Sequence, residues 1–115
     1  MSGLTTHILD TAAGRPAAGV AVRVYRRVEG PPVLLKATST DADGRARLVE
    51  GEALEVGGYR LEFEVAAYFA ASGAKVSDPP FLDVVTIDFA VADAAQHHHV
   101  PLLVSPFGYS TYRGS

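Results

Sequence analysis

Apolar and charged residues alternate through Tyr59-Arg60-Leu61-Glu62-Phe63-Glu64-Val65. A period of two places Tyr59, Leu61, Phe63 and Val65 on one face of an extended chain, which is the pattern of a half-buried strand. The run Val84-Val85-Thr86-Ile87-Asp88-Phe89-Ala90-Val91 puts Val85, Ile87, Phe89 and Val91 on one face and is rich in β-formers, so it reads as a long second strand. Shorter runs over 5–9, 20–28, 33–38, 45–49, 98–104 and 109–113 bring the set to about eight strands. Turn chemistry separates them at Gly14-Arg15-Pro16, Gly30-Pro31-Pro32, Asp41-Ala42-Asp43-Gly44, Gly57-Gly58, Asp78-Pro79-Pro80 and Ser105-Pro106-Phe107-Gly108. Short strands with turns at this density predict an antiparallel sandwich or barrel. Residues 65–72 break the pattern: Ala66, Ala67, Ala70 and Ala71 favour a short helix, with Gly73 as its C-cap.

Composition narrows the class. A chain of 115 residues is sized for one domain, spanning 1–115. Its 48% hydrophobic and 20% charged residues exclude disordered, collagen-like and coiled-coil classes. Ten Lys and Arg against thirteen Asp and Glu, evenly mixed, give a formal charge of −3 and disfavour nucleic acid as a partner. With no cysteine, neither a disulfide framework nor a thiolate metal site is available. No stretch approaches the roughly 20 apolar residues that span a bilayer, and Met1-Ser2-Gly3-Leu4 lacks a basic export signal, so no membrane partner and a cytoplasmic location are expected. A small domain with scattered apolar runs also gains from oligomerisation.

Candidate chemistry centres on histidine. His97, His98 and His99 stand consecutively before Val100-Pro101. On an extended segment His97 and His99 share a face while His98 points to the other. Two readings are open there: an exposed polar strand start, or a site shared by two imidazoles. Zinc would need a third ligand, for which only His7 is a candidate, so neither a metal nor any other cofactor is expected. His7 lies on a strand face with Thr5 and Leu9. Arg45 opens a strand after the Asp-Ala-Asp-Gly turn, where its fork of donors suits a carbonyl or a planar anion. Asp41 and Asp43 read as turn residues, and Arg23, Arg26 and Arg27 as mostly solvated. The terminus Tyr109-Ser110-Thr111-Tyr112-Arg113-Gly114-Ser115 is unusually definite. If it docks as a strand, Tyr112, Arg113 and the Ser115 carboxylate come to fixed places. Nucleophile-elbow, Walker-type and dinucleotide-turn motifs are absent from the sequence.

Taken together, Leu4-Thr5-Thr6-His7-Ile8-Leu9-Asp10, Asp43-Gly44-Arg45, Pro80-Phe81-Leu82, His97-His98-His99-Val100-Pro101-Leu102-Leu103 and the closing Ser105-to-Ser115 run resemble the 5-hydroxyisourate hydrolases of the transthyretin-like family. The resemblance covers essentially the whole chain. Gly19-Val20-Ala21-Val22, Thr40-Asp41-Ala42-Asp43-Gly44-Arg45 and Gly58-Tyr59-Arg60-Leu61 are shared with many prealbumin-like modules and speak only to fold. His7, the His-x-His and Tyr112-Arg113-Gly114-Ser115 mark the hydrolases. The resemblance implies an all-β, transthyretin-like (prealbumin-like) sandwich of two four-stranded antiparallel sheets with one short helix. It implies a homotetramer, a dimer of dimers, with sites in the channel between dimers, and 5-hydroxyisourate as the small-molecule substrate. It further implies His7, Arg45 and His99 as catalytic residues, with His7, Arg45, Tyr112, Ser115 and His97 contacting substrate. The family usually has Tyr where this chain has His98, which alternation turns away from the paired imidazoles. The alternative is a non-catalytic carrier of the transthyretin type using the same channel.

Overall fold

The computed structural model describes residues 2–114. Its elements are β1 (Gly3–Asp10), β2 (Arg15–Pro16), β3 (Ala21–Arg26), β4 (Val33–Ser39), β5 (Arg45–Glu50), β6 (Gly57–Phe63), α1 (Val65–Ser72), β7 (Val85–Val91), β8 (His97–His99), β9 (Leu102–Ser105) and β10 (Gly108–Thr111), with one 3-10 turn at Gly51–Ala53. The helix stands where alanine predicted it, and Gly73 closes it in the left-handed conformation with φ 77°.

One sheet is four-stranded and antiparallel, in the order β4-β3-β6-β7. The other is built around β1. At one end β1 lies between antiparallel β5 and parallel β8; at the other it lies between antiparallel β2 and parallel β9, with β10 outside β9. Six strand segments therefore make this sheet, although no level of it is more than four strands wide. The expected strand over 98–104 is divided into β8 and β9 because Pro101 has no N–H to give to a ladder. Val100 N–H still donates to the Thr5 carbonyl at 2.9 Å, and Thr6 Oγ1 donates to the Val100 carbonyl at 2.7 Å, so the chain passes the break without leaving β1. Residues 15 and 16 carry no strand signal in their sequence, and β2 exists only because β1 offers it an edge.

The core lies between the sheets. Tyr59, Leu61 and Phe63 are fully buried, as their alternation requires, against Leu4 and Ile8 of β1, Val22 and Val24 of β3, Leu102 and Val104 of β9, and Phe69 of the helix. Each such side chain stabilises the fold by about 1.5–3 kcal/mol. Asp10 ties the helix to β1: its Oδ1 accepts from the N–H groups of Ala12 and Ala13, and its Oδ2 accepts from the Tyr68 hydroxyl at 2.8 Å. Burial of that hydroxyl, reinforced by Asp10, raises the Tyr68 pKa.

Of the three arginines expected to be mostly solvated, Arg23 and Arg26, on β3 of the four-stranded sheet, correct that expectation. Arg23 sits between Glu62 at 2.9 Å and Glu64 at 2.7 Å. Arg26 lies 4.9 Å from the Tyr59 ring centroid and donates to the carbonyls of Val56 and Gly58. Arg27 is the most open of the three, 3.9 Å from Asp88. Among the described residues no helix is long and apolar enough to cross a membrane.

Candidate active site

The site is written in the alternation of β1. Leu4, Thr6 and Ile8 point inward and are buried, while Thr5, His7 and Leu9 are half-buried on the outer face. Register supplies the rest. Antiparallel β5 sets Arg45 opposite His7 and Arg47 opposite Thr5, and directly opposed residues share a face. Parallel β8 sets His97 beside Gly3 and His99 beside Thr5.

Arg45 reaches its place through the turn before it. Asp41 Oδ1 accepts the N–H groups of Asp43 at 2.9 Å and Arg45 at 3.0 Å, which is the turn chemistry its position predicts. Gly44 adopts φ 76°, and a Cβ there would stand 2.5 Å from the Ile8 carbonyl oxygen, so only glycine lets β5 close onto β1. Ile8 N–H then donates to the Gly44 carbonyl at 2.7 Å.

Hydrogen bonds fix the imidazoles. His7 Nε2 lies 2.9 Å from the Asp43 carbonyl oxygen. A carbonyl only accepts, so Nε2 carries the proton and Nδ1 the lone pair. The Thr5 hydroxyl bridges the other two rings, 3.0 Å from His97 Nε2 and 2.9 Å from His99 Nδ1. Burial is the main cause holding the His99 pKa below its usual value, and electrostatic interaction with His7, His97 and Arg45 acts in the same direction. His99 is therefore a neutral imidazole at pH 7.

Arg45, Arg47, Thr5, Asp41, His97 and His99 line a cavity of about 470 Å³ on the outer face of the sheet. A neighbouring cavity of about 430 Å³ shares Thr5, Arg47 and His97 with it and adds Glu50 and Glu52. The extended terminus docks as expected. Gly114 N–H donates to the His99 carbonyl at 2.7 Å, and Arg113 donates to Gln96 Oε1 at 3.0 Å. Gly114 packs so closely that a Cβ on it would stand 2.8 Å from His99 Cδ2. Ser115 lies outside the described residues.

Within one chain the structure thus gathers His7, Arg45, His97 and His99, but not Tyr112. Tyr112 is 60% exposed and lines a different cavity, of about 260 Å³, with His98, Ile87, Phe89, Val100 and Thr111. His98 turns inward as alternation requires, 3% exposed, its Nδ1 donating to the Gln96 carbonyl at 2.9 Å. Sequence reasoning placed Thr5 on the His7 face but did not single it out, and it missed Arg47 altogether. For both, the readable signal was a two-residue offset, from His7 and from Arg45. Among the described residues no three His, Cys, Asp or Glu side chains converge as a metal-ligand set.

These features define a two-sheet β-sandwich carrying a histidine–arginine site on the outer face of one sheet. The chain belongs to the HIUase/Transthyretin family, whose family model matches residues 4–114. A 5-hydroxyisourate hydrolase of Caulobacter vibrioides is 70% identical to it over 115 residues, covering 100% of both chains. Among solved structures, Klebsiella pneumoniae 5-hydroxyisourate hydrolase matches with a TM-score of 0.82 at 40% identity over 100% of both chains. The crystal structure of (S)-allantoin synthase matches with a TM-score of 0.91 at 39% identity; the match covers 99% of this chain and 44% of that longer one. The transthyretin-like two-sheet sandwich with one short helix expected from the sequence is the observed fold, with one correction: the sheet around β1 is mixed, not antiparallel throughout, because β8 and β9 run parallel to β1.

Proposed function

We propose that this chain hydrolyses 5-hydroxyisourate to 2-oxo-4-hydroxy-4-carboxy-5-ureidoimidazoline. Water adds to a ring carbonyl carbon, the adjacent C–N bond breaks, and the departing nitrogen takes a proton. The observation that carries the reading is the placing of a neutral His99 beside Arg45 in one open cavity, in a chain 70% identical along its whole length to a curated hydrolase.

The chemistry needs a base for water, donors for the developing oxyanion, and a grip on a flat, carbonyl-rich ring. His7 offers Nδ1 and His99 offers Nε2, since the other nitrogen of each ring is committed to Asp43 or Thr5. A positioned base contributes about 10²–10⁴ in rate. Arg45 holds the carbonyl edge, and loss of one donor to a developing oxyanion costs on the order of 3 kcal/mol. His97, Tyr112 and Ser115 complete the proposed substrate contacts. Because Tyr112 stands on another surface of its own chain, the reading includes a homotetramer in which a second copy brings that ring to the cavity. A cytoplasmic location is part of the same proposal, and cell fractionation tests it.

The deciding experiment follows the ultraviolet absorbance of 5-hydroxyisourate, generated from urate by urate oxidase, with and without the protein. Accelerated decay that His99→Ala abolishes is the expected result. Decay at the spontaneous rate overturns the hydrolase reading, and ligand binding without turnover would replace it with the carrier.

A further inference from the structure

The Thr5 hydroxyl holds one proton and stands within hydrogen-bond distance of two ring nitrogens, His97 Nε2 at 3.0 Å and His99 Nδ1 at 2.9 Å. One proton serves only one of them, so at least one imidazole must donate its own N–H to Thr5 Oγ1. The tautomers of His97 and His99 are therefore linked. When Thr5 donates to His97, His99 Nδ1 carries a proton and its Nε2 lone pair is free. When Thr5 donates to His99, the arrangement is reversed and His99 Nε2 is an N–H donor.

We propose that Thr5 is a positioning residue whose hydroxyl joins His97 and His99 into a proton relay, so that the charge taken up during hydrolysis rests on exposed His97 instead of half-buried His99. The relay rests on the hydrolase reading and assigns the base to His99. His7 has no such outlet, because its N–H is spent on the Asp43 carbonyl.

The step balances. A water proton passes to His99 Nε2 as the oxygen bonds to the carbonyl carbon. The Nδ1 proton of His99 moves to Thr5 Oγ1, and the Thr5 proton moves to His97 Nε2. His99 ends neutral, His97 ends as imidazolium, and the substrate carries the oxyanion. His99 Nε2–H then protonates the departing nitrogen as the C–N bond breaks, and the chain of protons runs back from His97. The placing of charge favours this direction. His99 is desolvated and faces the positive Arg45, with His7 and His97 close by. His97 is open to water and shares a cavity with Glu50 and Glu52 as well as with Arg47.

Two substitutions test it in the full chain. Thr5→Val keeps the shape of a β-branched residue at a half-buried strand position and removes only the hydroxyl; Thr5→Ser restores the hydroxyl on a smaller frame. Expected for Thr5→Val is a kcat loss of about tenfold or more with KM within about twofold, recovered in large part by Thr5→Ser. Histidine ¹⁵N shifts should show one dominant His99 tautomer in the parent and a mixture in Thr5→Val. Unchanged kcat in Thr5→Val, while His99→Ala abolishes activity, overturns the relay and leaves the hydrolase reading standing. Thr5→Ser as poor as Thr5→Val overturns it too, because the hydroxyl then would not be what matters. No acceleration by the parent chain overturns both.

Discussion

His99 is half-buried, with its Nδ1 2.9 Å from the Thr5 hydroxyl. Its pKa lies below 6.5, chiefly through burial and then through His7, His97 and Arg45. If it takes the water proton, kcat/KM should hold steady as pH falls through 6.5 and decline only below it. Arg45→Gln removes one of the positive charges and should move that decline upward toward 6.5. A pH–rate profile checks both statements, and a decline at or above 6.5 in the parent removes His99 from the role. The sign for stability is the same. As pH falls from 6.5 toward the folded-state pKa, the unfolded chain takes the proton first, so stability is lost across that window and is untouched above it. His7, Arg45, His97 and His99 were named through the resemblance to the hydrolases, with strand alternation adding that His97 and His99 share a face. Thr5 was not, since threonine is an ordinary β-former. Its bridging position comes from a partner 94 residues away, which no local pattern encodes.

Elements were legible in proportion to their local signal. The alternating β6, the alanine-rich α1 and the β-branched β7 were found nearly whole. The failures were β2, which has no pattern of its own, and the joint between β8 and β9, where a proline interrupts an otherwise continuous run. Two glycines at element ends make separable predictions. Gly44→Ala forces a side chain into positive φ and against the Ile8 carbonyl at 2.5 Å. It should lower unfolding free energy by about 1–3 kcal/mol in urea titration and weaken activity as β5 shifts. Gly114→Ala meets no such backbone barrier, but its methyl would stand 2.8 Å from the His99 ring. Activity should fall by up to about 100-fold, because small displacements of a catalytic group are that costly. The urea midpoint should stay near that of the parent; a large fall in the midpoint would make the terminus a clamp on the fold instead.

At the scale of the whole molecule, the cavity is shallow and lies on an outer sheet face, while Phe81, Phe107 and Tyr109 leave much of their rings in water. The proposed homotetramer would answer both. Sedimentation should return the mass of four chains, and specific activity should fall on dilution as the assembly dissociates; full activity in a monomer would refute the shared site. Which strands would pair was beyond the sequence, because hydrophobic alternation fixes a strand's faces but not its neighbours. The central place of β1 was the largest such surprise, and it bears on how the chain is made. A ribosome delivers β1 before β8, β9 and Gly114. Until they arrive, one edge of β1 has no neighbour and His99 is not yet in place. Nascent chains should therefore be catalytically silent, and their unpaired β1 is the stretch on which a chaperone would be expected to wait.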